Sequence, residues 1–331
     1  MPLRLVALAA TVLFAFALSL CVGEIWVSPT EAWRILTSPA DSSMLPAGLA
    51  DILWQIRLPR LLIATVIGIA LAVSGYLLQA LSHNQLADPY LTGVSSGAGL
   101  AVALAMMAGF DFGLVPVAAF LGGLVASLVV ALMARRAGGL SVTRLLLSGV
   151  ALSSVCGALI TLIITQTNSL AQTQGLVFWL AGGIAGRSWE ELAGAAIYTT
   201  IGVVIVLLMS KQIRLLSLGE ESAQALGLSV QRAQWILLAT AVLMCGSAVA
   251  ISGIVGFVGL MAPNMARTLF GRDERAQIVA SALIGSLLVV ISDLAARTLG
   301  QGQELPLGTL LALIGGPFFL WLVGRRRGEE F

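Results

Sequence analysis

Ionisable residues are scarce in this chain, and their types and spacing limit the chemistry it can perform. Its 331 residues include 18 basic and 16 acidic side chains, one histidine and three cysteines. Cys21, Cys156 and Cys245 lie inside apolar runs without metal-ligand spacing, and read as small buried hydrophobes. With only His83 besides, soft ligands cannot be gathered into a transition-metal site, so a metal that crosses here crosses chelated. The single lysine, Lys211, follows "VLLMS" and has none of the glycines of a phosphate-binding loop. Any ATP hydrolysis coupled to the chain therefore belongs to another polypeptide. A membrane-embedded enzyme would need clustered nucleophiles, acids or ligands, and scattered carboxylates do not supply them.

What remains are small constellations. Arg57 and Arg60 in "IRLPRLLIA" are three apart and share a helix face; they either snorkel to headgroups or dock a partner's carboxylates. Asp293 and Arg297 in "ISDLAARTLG" are four apart, forming an internal ion pair or adding Arg297 to the other two at a common mouth. In "SHNQLADPYLTGVSSGAG", Asp88-Pro89 reads as a helix cap and first-turn proline. "GLVFWLAGGIAGRSWEEL" reads as a short interfacial helix, either anchor or lid. The stretch "LLSLGEESAQALGLSVQR", Leu215 to Arg232, sits between two long apolar runs and belongs to neither. Glu220 and Glu221 favour a helix N-terminus, Leu218, Ala223 and Leu226 offer a narrow apolar face, and Gly219 and Gly227 punctuate it. It is too short for a domain and too weakly basic for a membrane-surface helix, and reads as a knob for a socket on another protein.

The elements that position these residues are membrane spans. Hydrophobic residues make up 58% and charged residues 10%, against about 25% charged in soluble domains; mean hydropathy is +0.99. A span needs about 20 apolar residues, and ten segments qualify near 5–23, 60–81, 90–110, 114–134, 143–165, 192–210, 233–252, 254–270, 277–297 and 305–324. The eighth is short and carries Pro263. The first reads as a retained helix in preference to a cleaved signal peptide. The whole chain, 1–331, forms one transmembrane domain, with 215–230 an extramembrane segment within it.

An even number of spans puts both termini on one side. With that side cytoplasmic, 13 basic residues lie inside (Arg4, Arg135, Arg136, Arg144, Lys211, Arg214, Arg232, Arg267, Arg272, Arg275 and Arg325 to Arg327) and five outside (Arg34, Arg57, Arg60, Arg187 and Arg297). This is the positive-inside distribution, and it places Leu215 to Arg232 in the cytoplasm. The outer loop near 24–54 carries Glu24, Glu31 and the interfacial tryptophans Trp26, Trp33 and Trp54. "ALAVSG" at Ala70 to Gly75 is echoed by "AVAISG" at Ala248 to Gly253, in spans of opposite direction, as an inverted repeat would have it. Many of the 36 glycines fall within spans; they serve close helix packing or allow helices to slide in a gated pathway. An ion-coupled carrier would want ionisable groups at mid-membrane, where these spans are nearly uncharged.

Taken as an ordered set, "RLPRLLIATVIGIALAVSGYLLQ", "NQLADPYLTGVSSGAGLA", "LLLSGVALSS", "WLAGGIAGRSW", "LSLGEESAQALGLSV", "GIVGFVGLMAPNMAR" and "DLAARTL…ELPLGTLLALIGGPFFLWLV" resemble the permease subunits of ATP-driven, binding-protein-dependent importers for iron-siderophores, haem and cobalamin. The resemblance extends over about residues 55 to 324. It implies an all-α polytopic fold with ten transmembrane helices. It implies two permease subunits, identical or paralogous, around one pathway in the cell's inner membrane, with two ATP-binding cassette subunits below and a soluble binding protein above. On that basis Ser217, Leu218, Gly219, Glu220, Glu221, Ala223, Leu226 and Gly227 are the ATPase-coupling residues. Arg57, Arg60 and Arg297 face the binding protein, and Val142 and Thr143 lie near the cytoplasmic gate. No catalytic residue, metal site or cofactor is expected on this chain, ATP and magnesium belonging to the partner; nucleic acid is not an expected partner. Two positions depart from the family pattern: Gln85 replaces a common proline, and Asn264 a common histidine.

Overall fold

A computed structural model describes residues 2–23, 25–37, 48–136, 139–271, 273–300 and 304–327. Glu24, Arg272 and the side chains of Arg325 to Arg327, counted above in the loops, lie outside the described residues. The chain is helical: α1 (Pro2–Cys21), α2 (Pro29–Thr37), α3 (Leu49–Asp51), α4 (Leu58–Ser82), α5 (Val94–Met107), α6 (Val115–Met133), α7 (Val142–Gln166), α8 (Leu170–Ala181), α9 (Trp189–Leu208), α10 (Ser210–Leu216), α11 (Glu220–Ala225), α12 (Val230–Ser252), α13 (Val258–Phe270), α14 (Glu274–Leu299) and α15 (Leu307–Arg327). A π-helical turn, Ile52–Arg57, joins α3 to α4. The only described strands form a hairpin, β1 (Arg135–Arg136) paired antiparallel with β2 (Gly139–Leu140).

Each of the ten expected spans contains a helix. Seven helical stretches are long and apolar enough to cross a membrane. The third, eighth and tenth expected segments fall short, the third and eighth because their backbones are interrupted. Asp88 Oδ1 accepts the Tyr90 amide at 2.9 Å and starts a 3₁₀ turn, Pro89–Thr92, and Gly93, at φ 82°, re-aims the chain before α5 begins. Before α13 the backbone is non-helical from Gly253, at φ 65°, to Phe257, at φ 69°. Thirteen residues then rise about 20 Å at 1.5 Å each, short of the ~30 Å hydrocarbon layer. Pro263 sits inside α13 without ending it.

Burial separates the layers. In α4 and α12, 78% and 72% of the most apolar window is buried; in α1 and α7 the figures are 17% and 11%. α4 is the central helix, packed against α12, α13, α14 and α9; α1 lies on α14, and α5 packs between α6 and α7. Close approach depends on glycine. A Cβ on Gly68 would stand 2.3 Å from the Gly285 carbonyl oxygen, and one on Gly285 would stand 2.3 Å from that of Gly68. The sequence echo does not mark equal helix ends: Ala248 to Gly253 closes α12, whereas Ala70 to Gly75 lies well inside α4.

Candidate functional sites at the two ends of the bundle

α4 and α14 run antiparallel, which sorts the polar residues to two ends. At one end Arg60 donates from Nε and Nη2 to Asp293 Oδ1 at 2.9 and 2.8 Å, and from Nη1 to Glu304 at 2.5 Å. Arg297 Nε lies 3.2 Å from Asp293 Oδ2, and its Nη2 donates to Ser19 Oγ at 2.8 Å. Arg57 donates to the carbonyls of Leu20 at 2.6 Å, Cys21 at 3.1 Å and Ile25. The Leu20 and Cys21 carbonyls end α1 and that of Ile25 belongs to the loop after it, so a buried guanidinium satisfies acceptors that a helix C-terminus leaves open and ties the following loop to it. Gly23 makes room for it: a Cβ there would stand 2.6 Å from Arg57 Nη2.

The structure thus brings Arg57, Arg60 and Arg297 to one end, an arrangement that the sequence left open as one alternative, and it decides against two other readings. Arg57 and Arg60 are 6% and 7% exposed, so they do not snorkel. Nor do they act as one face, because the π-helical turn sends Arg57 toward α1 while Arg60 turns toward α14. Asp293 and Arg297 make the internal pair and belong to the shared cluster as well. Sequence reasoning missed Glu304 and Ser19; Glu304 was visible only as an isolated carboxylate in the loop before α15.

"GLVFWLAGGIAGRSWEEL" resolves into α8 and a turn to α9, whose first turn Ser188 and Glu191 cap reciprocally. Trp189 Nε1 donates to the Trp54 carbonyl at 2.9 Å. α8 begins at Leu170, earlier than its aromatic residues indicated, because Ser169 caps it. α8 walls a cleft of about 560 Å³ with Met106, Val115, Phe178, Trp179 and Arg187.

At the opposite end the glycine-punctuated stretch is two helices, not one. α10 runs on from α9, and α11 spans only six residues. Gly219 at φ 101° and Gly227 at φ 84° delimit α11, in backbone states that glycine adopts without a Cβ penalty. Glu220 and Glu221 occupy its first turn. The expected apolar face is divided: Ala223 is fully buried, while Leu218 and Leu226 are 59% and 62% exposed. Ser217, Glu221 and Gly227 are exposed as well, and Gly219 and Glu220 half-buried.

α11 is tied to its neighbours by polar contacts. Glu220 pairs with Arg136 of the hairpin at 2.6 Å and accepts from Gln234 Nε2 of α12 at 3.0 Å. The same Gln234 accepts the Leu140 amide at 3.1 Å. Val142 is half-buried and Thr143 exposed at the start of α7, directly after the hairpin, where Ser141 Oγ accepts the Arg144 amide. One glutamine therefore bridges the two sites proposed from sequence at this end. Gln234 carried no signal in an otherwise apolar run.

A second polar network lies beside α11. Tyr76 donates its hydroxyl to Glu274, Arg267 sits 5.6 Å over the Tyr76 ring, and Arg267 Nη1 donates to Gln79 Oε1 at 2.5 Å. The two departures from the family pattern meet here, Asn264 Nδ2 donating to the Gln85 carbonyl at 2.9 Å. No group of three His, Cys, Asp or Glu fit to hold a metal occurs among the described residues, and all three cysteines are free and buried.

A glycine-packed helical bundle with a small tethered helix at one end and an ion-pair cluster at the other defines a membrane permease subunit. The FecCD transport family model matches residues 11–325, and the chain belongs to that family. It is 39% identical over 292 residues to the hemin transport system permease HmuU of Yersinia pestis, covering 85% of this chain and 86% of that one. It is 39% identical to the vitamin B12 import permease BtuC of Vibrio cholerae, covering 93% and 89%, and 37% identical to the Fe(3+) dicitrate permease FecC of Escherichia coli, covering 96% of each. Among solved structures, an inward-facing metal-chelate type ABC transporter superposes with a TM-score of 0.87 at 30% identity, covering 98% of this chain and all of that one. PsaBC of Streptococcus pneumoniae, at a TM-score of 0.59, 20% identity and coverage of 85% and 92%, shares the fold. The chain is the transmembrane subunit of an ATP-driven importer, a transport protein and not an enzyme.

Proposed function

We propose that this subunit carries a metal chelate, an Fe(III)-siderophore first of all, from a soluble binding protein to the cytoplasm. The chelated form is supported by the residue inventory, since one histidine and three buried cysteines cannot take a bare metal ion from ligand to ligand. Relatives named for hemin, vitamin B12 and ferric dicitrate are almost equally similar, at 39%, 39% and 37% identity, and this favours haem or cobalamin as the second reading. All three cargoes are metal ions wrapped in an organic ligand.

The complex proposed holds two permease subunits and two ATP-binding cassette subunits in the inner membrane, with both termini cytoplasmic. The reading rests on one observation above all: α11 is bracketed by two positive-φ glycines, with the exposed Leu218 just before it and the exposed Leu226 at its C-cap. Two apolar knobs flanking a short, tethered helix suit a socket on the ATPase. At the other end Arg57, Arg60 and Arg297 are candidates for receiving the binding protein's carboxylates, which would compete with Asp293 and Glu304 for Arg60. Val142 and Thr143 are proposed to line the pathway just above the ATPase.

Reconstitution with the cognate ATPase and binding protein tests this. Leu218→Asp/Leu226→Asp should abolish ATPase capture while the permease still purifies as a folded protein; retained capture and transport would reject the coupling assignment. Titrating the binding protein separately with a ferric siderophore, hemin and cobalamin identifies the cargo.

A further inference from the structure

A cleft of about 600 Å³ opens between α10 and the start of α14, lined by Ser210, Lys211, Arg214, Asp273, Glu274 and Arg275. Lys211, Arg214 and Arg275 are exposed, and among the described residues none of them forms an ion pair. Two acids line it as well, each already accepting a hydrogen bond, Asp273 Oδ1 from the Ala276 amide at 2.9 Å and Glu274 from the Tyr76 hydroxyl, so three cations outnumber them. Arg275 Nε donates to Ser210 Oγ at 3.2 Å, which holds the guanidinium across the gap between α10 and α14.

The surface running up from these cations is aliphatic. Ile201, Val204 and Leu208 of α9 are 53%, 49% and 74% exposed, and at spacings of three and four they share one face. On α14, Val279 is also exposed, one turn beyond Arg275. α9 is one of the helices long and apolar enough to cross a membrane, so this face meets acyl chains and the cations stand at its end, at headgroup level. Cations below an apolar helix face match an amphiphile with an anionic head.

We propose that this cleft seats the phosphate headgroup of an anionic phospholipid, with its acyl chains lying along α9. Basic residues near a bilayer surface each favour anionic lipid by about 1 kcal/mol, or roughly fivefold. The proposal needs α9 to lie in the bilayer, and it is independent of the coupling role given to α11.

Lys211 is the only lysine in the chain, which gives the test a direct readout. The full-length protein in detergent is treated with an amine-acylating reagent, with phosphatidylglycerol, phosphatidylcholine or inorganic phosphate added. Phosphatidylglycerol should slow acylation of Lys211 several-fold, and the other two should not. Native mass spectrometry should show phosphatidylglycerol binding weakened about fivefold by each of Lys211→Gln, Arg214→Gln and Arg275→Gln, with Arg144→Gln, an exposed cation away from the cleft, leaving it intact. Equal protection by inorganic phosphate or phosphatidylcholine would overturn the lipid assignment. So would variants that bind phosphatidylglycerol normally but no longer capture the ATPase, which would give the cleft to that interface. Should the variants fail to fold, Lys211 protection in the unaltered chain decides alone.

Discussion

Arg60 grips Asp293 through two nitrogens, at 2.9 and 2.8 Å, where α4 meets α14. Sixteen residues further along α4, about 24 Å at 1.5 Å per residue, Tyr76 holds Glu274 at the other end of α14. Between these clasps the helices touch through Gly68 and Gly285. The antiparallel pair at the centre of the subunit is therefore fixed at both ends by polar contacts and in the middle by the absence of side chains.

Asp293→Asn removes the buried anion shared by Arg60 and Arg297, leaving Arg60 with only the half-exposed Glu304 and Arg297 with no carboxylate among the described residues. Breaking a buried pair from one side costs about 3–5 kcal/mol, because the remaining charge is uncompensated. The melting temperature of the purified chain should fall clearly. An Arg60→Met/Asp293→Leu/Arg297→Leu triple variant, which removes both buried cations with the anion, should recover much of the loss. A triple variant no more stable than Asp293→Asn would show that uncompensated buried charge is not the cause.

Gly285→Ala puts a methyl group 2.3 Å from the Gly68 carbonyl oxygen and 2.4 Å from the Ala72 Cβ. Backbone cannot yield as a flexible side chain does, and overpacking costs typically 1–3 kcal/mol. Gly157→Ala, with nothing within 4 Å of the added carbon, should be neutral or slightly stabilising in the same helical context. Thermal melts of the two variants compare them directly; equal melts would mean that the crossing relaxes freely.

Much of this architecture was legible because lipid imposes a simple pattern. Ten apolar segments, a charge asymmetry and 36 glycines locate the helices of the bundle and explain their packing. Where helices break was less legible. α5 starts late because Gly93 re-aims the chain after the Asp88 cap, and α13 because of Phe257, a residue that gives no sign of a positive φ. The arginine end was half readable: Asp293 and Arg297 at a four-residue spacing announce a pair, but nothing local joins either to Arg60, 233 positions away from Asp293. Burial decided against snorkelling for Arg57, whose acceptors are backbone carbonyls at the end of α1 and in the loop after it and leave no trace in side-chain chemistry. Gln234 was invisible for the same reason, its meaning lying in a hairpin and a helix that only the fold brings to it.

Asp88 gives the stability a pH dependence. Burial pushes its carboxyl up to about 6, and the hydrogen bond from the Tyr90 amide pulls the other way. The protonated form is thus favoured in the folded chain relative to the unfolded one, where the value is 3.8. This contribution is fully present below about pH 4 and is lost as the pH rises through about 6, by about 3 kcal/mol in all. Asp88→Asn keeps a side-chain oxygen able to cap the turn and cannot ionise. Melts between pH 4 and 7 should show the unaltered chain losing stability across that window relative to Asp88→Asn; parallel curves would contradict it.

Gln234 yields the prediction most specific to function. Its Nε2 donates to Glu220 of α11 and its Oε1 accepts the Leu140 amide of the hairpin, so it positions α11 against the segment that leads into α7. Gln234→Leu keeps the size and removes both contacts, leaving the Leu140 amide without its acceptor. A lost hydrogen bond of this kind costs about 1–3 kcal/mol, which a bundle of this size tolerates. A purely structural role would lower the melting temperature and nothing else. Positioning predicts more: the ATPase subunits still bind, through the exposed Leu218 and Leu226, but the binding protein no longer stimulates hydrolysis, and transport falls while basal ATPase activity persists. Gln234→Glu, which retains the acceptor for Leu140 but sets a second carboxylate against Glu220, should fail in the same way. Arg136→Gln, which removes the exposed Glu220 partner, should be mild, since such surface pairs contribute about 0–1 kcal/mol. If Gln234→Leu transports normally in proteoliposomes, the bridge is packing alone and the link from α11 to the start of α7 must run through another contact.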